Sequence, residues 1–368
     1  MRVLFVDDEE RVLAGIERTV FMADRDWDVA FATSGAEALD RLASQPADVV
    51  VSDMRMPLMD GAELLRRVRD TWPSAIRIIL SGHTEQESAL RSLDVAHQFL
   101  AKPCEGDALI QSIDRAVGLQ TLLRDRAIQD VVGRIGSLPA APRMYEQLNR
   151  LLFDGSADIG QVAAIIQGDP ALAAKVLQLA NCAFFRIGHD VTAINEAVVH
   201  IGLNTLRILV LASEVFRGGA CVEVDAMRVR AVRASRLAGE IGKPYSPRET
   251  VTTAALLADI GLLLPDVRRL CSEVDTEGKG FPSHAEVGAY LLGMWGLPGT
   301  IVEAVAHHHC PQRVSHRSFD AIGVVHVAVA LSKGIEPDHD YLSRLGVADQ
   351  LPRWKAACEA DHLIENDL

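Results

Sequence analysis

The chain has 368 residues, 49% of them hydrophobic and 24% charged, which excludes a disordered or fibrous protein and suggests two or three domains. Lys and Arg number 37 against 50 Asp and Glu, and the formal net charge of −13 argues against sequence-independent DNA binding, which needs a basic face. Six cysteines, at 104, 182, 221, 271, 310 and 358, form no Cys-x-x-Cys pair and read as reduced cytosolic thiols.

Short apolar runs at residues 3–6, 29–32, 49–51, 76–80 and 98–101 read as buried parallel strands. Helical spacing at 11–22, 35–42, 61–71, 85–93 and from 107 onward follows them in turn, with Ser34 a candidate N-cap. This alternation predicts an α/β, doubly wound, five-stranded parallel unit over residues 1–120. The opening run is too short for a signal-peptide core, and no stretch of about 20 apolar residues predicts a membrane span. A cytoplasmic protein is expected.

In doubly wound folds the working site lies beyond the carboxyl ends of the strands. Asp7 and Asp8 follow the first strand, Asp53 the third, Ser81 the fourth and Lys102 the fifth. Any one of these reads most simply as a turn or a cap, but together they suit phosphoryl transfer onto a carboxylate. Clustered carboxylates call for a hard divalent cation such as Mg²⁺. An ammonium and a hydroxyl can hold phosphoryl oxygens, and Asp53 can serve as nucleophile.

The runs Val3-Leu4-Phe5-Val6-Asp7-Asp8-Glu9, Ser52-Asp53-Met54-Arg55-Met56-Pro57-Leu58-Met59-Asp60-Gly61, Leu80-Ser81-Gly82 and Phe99-Leu100-Ala101-Lys102-Pro103 resemble a response-regulator receiver domain. The resemblance implies that Asp53 is the phosphoacceptor for a sensor histidine kinase. It implies that Asp7 or Asp8, with Asp53, binds Mg²⁺, and that Ser81 and Lys102 read the phosphoryl group. Phe99 matches the aromatic switch position; the plainer reading is a packed strand residue.

Residues 107–136 read as a helical connector, one helix or two, overlapping the last helix of the unit. Leu109, Ile113, Ala116, Leu123 and Ala127 form an apolar seam, interrupted at Gln120 and weakened at Gly118, that can support a homodimer as a short coiled coil; the plainer reading is a final helix of the unit that merely overruns. Gly133, Gly136 and the run Leu138-Pro139-Ala140-Ala141-Pro142 end it.

From 143 onward helical patterns dominate, at 144–153, 159–166, 171–181, 194–201, 205–216, 227–241, 250–264, 286–295, 300–308 and 319–332, with a charged helical tail over 338–364 within 333–368. The runs Ser137-Leu138-Pro139, Ile166-Gln167-Gly168-Asp169-Pro170-Ala171-Leu172, Leu179-Ala180-Asn181-Cys182-Ala183-Phe184-Phe185, Ile194-Asn195-Glu196-Ala197-Val198-Val199-His200-Ile201-Gly202 and Ala255-Leu256-Leu257-Ala258-Asp259-Ile260-Gly261 resemble the HDOD family over 137–332. That family is a relative of the metal-dependent HD phosphohydrolases, and the resemblance implies an all-α HD-like bundle. Where an active HD enzyme carries its His-Asp pair, this chain reads Ala258-Asp259, and a methyl group cannot ligate a metal. The upstream His position falls near Ala226 and the distant Asp position at Val329. His284, His307, His308 and His309 lie where the related HD-GYP enzymes place extra ligands, and Asp259 with His284 and one of His307 or His308 could make a residual two-His, one-carboxylate site; the plainer reading is packing histidines. The Gly-Tyr-Pro of the related cyclic di-GMP hydrolases is replaced by Cys310-Pro311-Gln312-Arg313.

Asp169 before Pro170 reads as an N-cap, and Asn181 as a helix cap or a partner of buried backbone. Arg228, Arg230, Arg233 and Arg236 form one basic face, yet residues 1–120 carry a net −8 and the remainder −5, so DNA is not the expected partner. The expectation is a two-component response regulator whose receiver controls a non-catalytic module that binds a downstream signalling macromolecule, with no metal in the HDOD domain. The alternative is a receiver-controlled, metal-dependent phosphodiesterase or nucleotide-binding module.

Overall fold

The computed structural model describes residues 1–82, 95–102, 106–120, 126–134, 147–148, 151–152, 158–182, 189–203, 205–206, 222–270, 283–315 and 318–366. Five strands, β1 (Arg2–Val6), β2 (Asp28–Ala32), β3 (Val49–Asp53), β4 (Ile76–Gly82) and β5 (Gln98–Lys102), form one parallel sheet in the order β2-β1-β3-β4-β5. Each expected strand is present. β3, β4 and β5 run past their apolar runs because the ladder takes in the polar residue that ends each one: Asp53 pairs with Leu80 and Lys102 with Gly82.

Strand alternation divides the sheet into two apolar faces. Val3, Phe5, Val49, Val51 and Ile78 pack with Leu13 and Val20 of α1 (Glu10–Met22) and Leu109 and Ile113 of α4 (Gly106–Gln120). Leu4, Val6, Val50, Ile79 and Phe99 belong to the opposite layer, with Leu42 of α2 (Gly35–Ser44) and Leu64 and Val68 of α3 (Gly61–Thr71). Ser34 caps α2 as expected, accepting from Glu37 N. The helix expected at 85–93 lies outside the described residues.

Of the connector, α4 and α5 (Arg126–Gly133) are helical, and residues 121–125 between them lie outside the described residues. The dimer seam needs correction: Leu109, Ile113 and Ala116 are buried in the α/β core, because α4 spends its apolar face on the sheet. Leu123 and the Ala127 side chain lie outside the described residues.

The rest is helical: α6 (Ile159–Gln167), α7 (Pro170–Ala180), α8 (Ile194–Ile201), α9 (Val222–Ile241), α10 (Arg248–Leu257), α11 (Pro265–Leu270), α12 (His284–Met294), α13 (Gly299–His307), α14 (Ala321–Ser332), α15 (His339–Arg344) and α16 (Leu351–Asn366). Of the expected helix at 144–153, only 147–148 and 151–152 are described, and they are helical; of that at 205–216, only 205–206. α7 is the axis of the bundle, with every residue buried. Asp169 caps it, accepting from Ala171 N and Leu172 N while ion-pairing Arg228 at 3.0 Å. Arg228 is therefore interior, not part of a surface basic stripe. Asn181 binds both the N–H and the C=O of Val191, which fits its reading as a partner of backbone.

Two helical expectations change. The helix expected over 250–264 stops at Leu257, and Ile260–Leu263 forms a separate 3-10 turn with Asp259 between them. The tail is not one covering helix: α15 and α16 bury Tyr341, Leu342, Trp354 and Cys358, and Trp354 stacks on Phe319 at 5.4 Å. Apolar residues hidden among charges give this segment a core face that net composition obscures.

The two domains share a polar seam at the amino end of β4 and β5. Arg77, wholly buried, donates from Nε to Val95 O at 2.6 Å, from Nη1 to Pro73 O and Ala75 O, and from Nη2 to Gly133 O of α5 at 2.6 Å. A β-carbon on Gly133 would meet Pro73 O at 1.8 Å, so only glycine lets α5 approach this closely. Beside Arg77 lies His97, whose carbonyl accepts from Gln178 Nε2 of α7 at 3.3 Å. Lys175 binds Gln178 and lies 4.0 Å from the Trp295 ring centroid.

Candidate phosphoacceptor site and histidine cluster

The strand ends bring Asp7, Asp53, Ser81 and Lys102 to one edge of the sheet. Asp7, Asp53 and Ser81 are buried, while Asp8 is exposed beside them. Lys102 Nζ binds Asp7 Oδ2 at 2.6 Å and also contacts Asp53 Oδ1. Backbone N–H groups fix the other carboxylate oxygens: Glu9 N donates to Asp7 Oδ1 at 2.9 Å and Arg55 N to Asp53 Oδ2 at 2.7 Å.

Burial pushes the Asp53 carboxyl up, and the charge of Asp7 adds to this against the pull of Lys102. Burial draws the Lys102 ammonium down, but its bonds to Asp53 and Asp7 outweigh this and raise it. The site thus holds concentrated negative charge around a single ammonium, which suits a hard cation held by Asp7, Asp8 and Asp53. Phe99 is buried within the sheet layer that faces α3, so its side chain points inward.

Gly61 sets the position of Asp53 from below. A β-carbon there would lie 2.1 Å from Asp53 O, while Asp60 caps α3 by accepting from Glu63 N. Gly61→Ala is expected to push α3 off β3 and cost about 1–3 kcal/mol. Denaturation midpoints of the two proteins check this.

A second cluster sits in the helical domain. Asp259, His284, His308 and His309 bring ligand-type atoms within 4.8 Å of one another. His284 Nε2 lies 3.1 Å from Asp259 Oδ1 and 3.1 Å from His309 Nε2, and His308 Nε2 lies 3.7 Å from the same carboxylate. Gly261 makes the approach possible: a β-carbon on it would meet His284 O at 2.2 Å, and it faces Gly288 across the crossing.

Of the alternatives His307 and His308, it is His308 that lies at Asp259, and His309 joins the set. α13 ends at His307, and the turn that follows directs His308 and His309 toward Asp259. Sequence reading also missed Lys333, whose Nζ lies 3.0 Å from Asp259 Oδ1. The available signal was its spacing: Lys333 is four residues after Val329, on the same helical face.

Burial raises the Asp259 carboxyl, but bonds to His284 and His308 and the charge of Lys333 outweigh this and hold it well below the usual range. Burial depresses His308, and burial with neighbouring positive charge pushes His309 down to about 2. Neutral imidazoles and one carboxylate are a competent donor set for a transition-metal ion. Lys333 already supplies a full positive charge to that carboxylate.

Similarity to known proteins follows this division. The response regulator receiver domain family matches residues 3–114, and the HDOD domain family matches residues 138–275. The hydrogenase transcriptional regulatory protein HoxA of Cupriavidus necator is 38% identical over 125 residues, 33% of this chain and 25% of that protein. The DNA-binding transcriptional regulator NtrC of Escherichia coli K12 is 29% identical over 171 residues, 43% of this chain and 36% of that protein. The chain thus spans between a quarter and about a third of the length of these curated relatives. Among solved structures, the MmoQ response regulator of Methylococcus capsulatus is 23% identical with a TM-score of 0.48, covering 60% of this chain and 98% of that one. The signal receiver domain of an HD domain-containing protein from Pseudomonas fluorescens is 28% identical with a TM-score of 0.31, covering 33% and 96%. Among the described residues no helix is long and apolar enough to cross a membrane.

Proposed function

The chain is a response regulator with an N-terminal receiver domain and a C-terminal HDOD domain, and on that premise we propose that Asp53 takes a phosphoryl group from a sensor histidine kinase and thereby changes how the HDOD domain is presented to a downstream macromolecule in the cytoplasm. The observation that carries the first step is the Asp53–Lys102–Asp7 arrangement. A carboxylate oxygen of Asp53 attacks phosphorus as the phosphorus–nitrogen bond of the donor phosphohistidine breaks, and the imidazole leaves with the electron pair. Asp7, Asp8 and Asp53 would hold Mg²⁺, which supplies charge neutralisation at the phosphoryl oxygens when bound. Lys102 then transfers its contact from the Asp53 carboxylate to a phosphoryl oxygen, and Ser81 donates to another.

Coupling rests on position. Phe99 and His97 are two residues apart at β5, and the His97 carbonyl accepts directly from Gln178 of the HDOD domain. A phosphoryl group adds about two negative charges near pH 7, and movement of β5 toward it reaches α7 without an intervening loop. Acetyl phosphate with Mg²⁺ is expected to add one phosphoryl mass to the full chain and none to Asp53→Asn. Equal labelling of the two by intact mass would overturn the assignment.

The HDOD domain acts by binding rather than by hydrolysis in this reading. Ala258 cannot ligate, and Lys333 offers Asp259 the positive charge a metal would bring. Lys333→Ala is expected to raise the affinity of the full chain for Zn²⁺ by about tenfold or more, since a cation then enters beside an unneutralised carboxylate. Equal Zn²⁺ affinity in titration calorimetry would refute this role for Lys333. Phosphodiester turnover by the wild type would favour the enzymatic alternative.

A further inference from the structure

Helices α6, α8, α9 and α10 enclose a cleft of about 510 Å³ that shares no residue with the Asp259 cluster. Its floor is aliphatic, from Ile194, Val232 and Leu256, and its walls carry Gln167, Asn195, Ser235 and Thr252. Arg236 and Arg248 line it from α9 and α10, against one carboxylate, Glu249, so these three leave the cleft with one net positive charge. The placement of Arg248 has a local cause. Gly239 lies three residues after Arg236 on α9, and a β-carbon there would come within 3.3 Å of Arg248 Nε. The glycine therefore lets Arg248 lie across the face of α9 that presents Arg236.

Two helix amino ends reach the same cleft. Ala193 precedes α8 and Pro247 precedes α10, and neither gives its helix a side-chain cap. Their first-turn N–H groups add partial positive charge to that of the arginines. The volume falls in the range of small-molecule pockets, well beyond the needs of a bare inorganic anion. Amides and hydroxyls on the walls match a polar body rather than an acyl chain. We propose that this cleft binds a phosphomonoester of a polar, hydroxyl-bearing small molecule. The phosphate is held between Arg236 and Arg248, and the body lies over Ile194, Val232 and Leu256.

Titration calorimetry of the full chain with AMP, ribose 5-phosphate and inorganic phosphate tests this. Saturable binding of one equivalent of AMP or ribose 5-phosphate is expected, tighter than inorganic phosphate. Which of the two binds more tightly identifies a base-bearing or a sugar-only body. Arg236→Ala with Arg248→Ala is expected to weaken binding by about tenfold or more. Val232→Trp, which fills the floor and leaves the charges in place, is expected to block it. Asp53→Asn and Asp259→Asn should bind like the wild type. Absence of binding by both phosphomonoesters, equal binding of inorganic phosphate, or unchanged affinity in both the double variant and Val232→Trp would overturn the proposal.

Discussion

Taking the full chain from pH 7 to pH 5.5 is expected to lower its unfolding free energy by about 2 kcal/mol or more. The cause lies in buried imidazoles that stay neutral when folded. Burial, with the charges of Arg77 and Lys175, holds His97 well below the ordinary histidine range, and His309 is pushed down to about 2. In the unfolded chain both regain an ordinary value near 6.5 and take up protons across this interval. The unfolded state then binds more protons than the folded one, so stability is present above the unfolded pKa and falls with pH. Each such group contributes about 1 kcal/mol between these two pH values. His308 and His326 are depressed mainly by burial and act in the same direction, while the raised Asp53 carboxyl opposes them. Urea unfolding in a series of buffers checks this, and His309→Asn should shed about half of the slope due to His97 and His309. A flat profile between pH 7 and 5.5 would contradict it.

Arg77→Met is expected to cost about 3–5 kcal/mol and to loosen the receiver from the HDOD domain. The guanidinium binds the carbonyls of Pro73, Ala75, Val95 and Gly133, and methionine leaves them buried without that donor. Two of these partners, Val95 and Gly133, tie β5 and α5 to β4, so their loss should be felt across the seam. Arg77→Lys cannot reproduce the planar fork and should fall between wild type and Arg77→Met. Calorimetric unfolding, with proteolysis of the connector as a second readout, checks both. A loss under about 1 kcal/mol with unchanged proteolysis would show that Arg77 does not hold the seam.

Sequence carried the α/β domain further than the helical one. Its strands are short apolar runs ended by polar residues, and the doubly wound topology puts those ends on one edge, so Asp7, Asp53, Ser81 and Lys102 could be placed together from their numbers alone. Arg77 was legible only as an anomaly, a charge inside the buried run Ile76-Arg77-Ile78-Ile79-Leu80. Its partners lie up to 56 residues away, and nothing local names them. The histidine cluster was legible in Asp259, His284 and His308. The choice between His307 and His308 stayed open because a helix end, not helical periodicity, decides which imidazoles turn inward. Lys333 reads locally as a charge at a helix carboxyl end, and only packing of α14 brings it to Asp259. The connector seam misled for a related reason: a stripe that fits a coiled coil also fits a sheet, and the sheet is nearer.

Hydrogen exchange of the full chain with Mg²⁺, with and without beryllofluoride as a phosphoryl mimic, tests most directly whether the receiver controls the HDOD domain. Altered protection is expected in α7 (Pro170–Ala180) and α12 (His284–Met294) as well as around Asp53, and it should vanish in Asp53→Asn. Changes confined to residues 1–102, with α7 and α12 unaltered, would contradict coupling between the two domains.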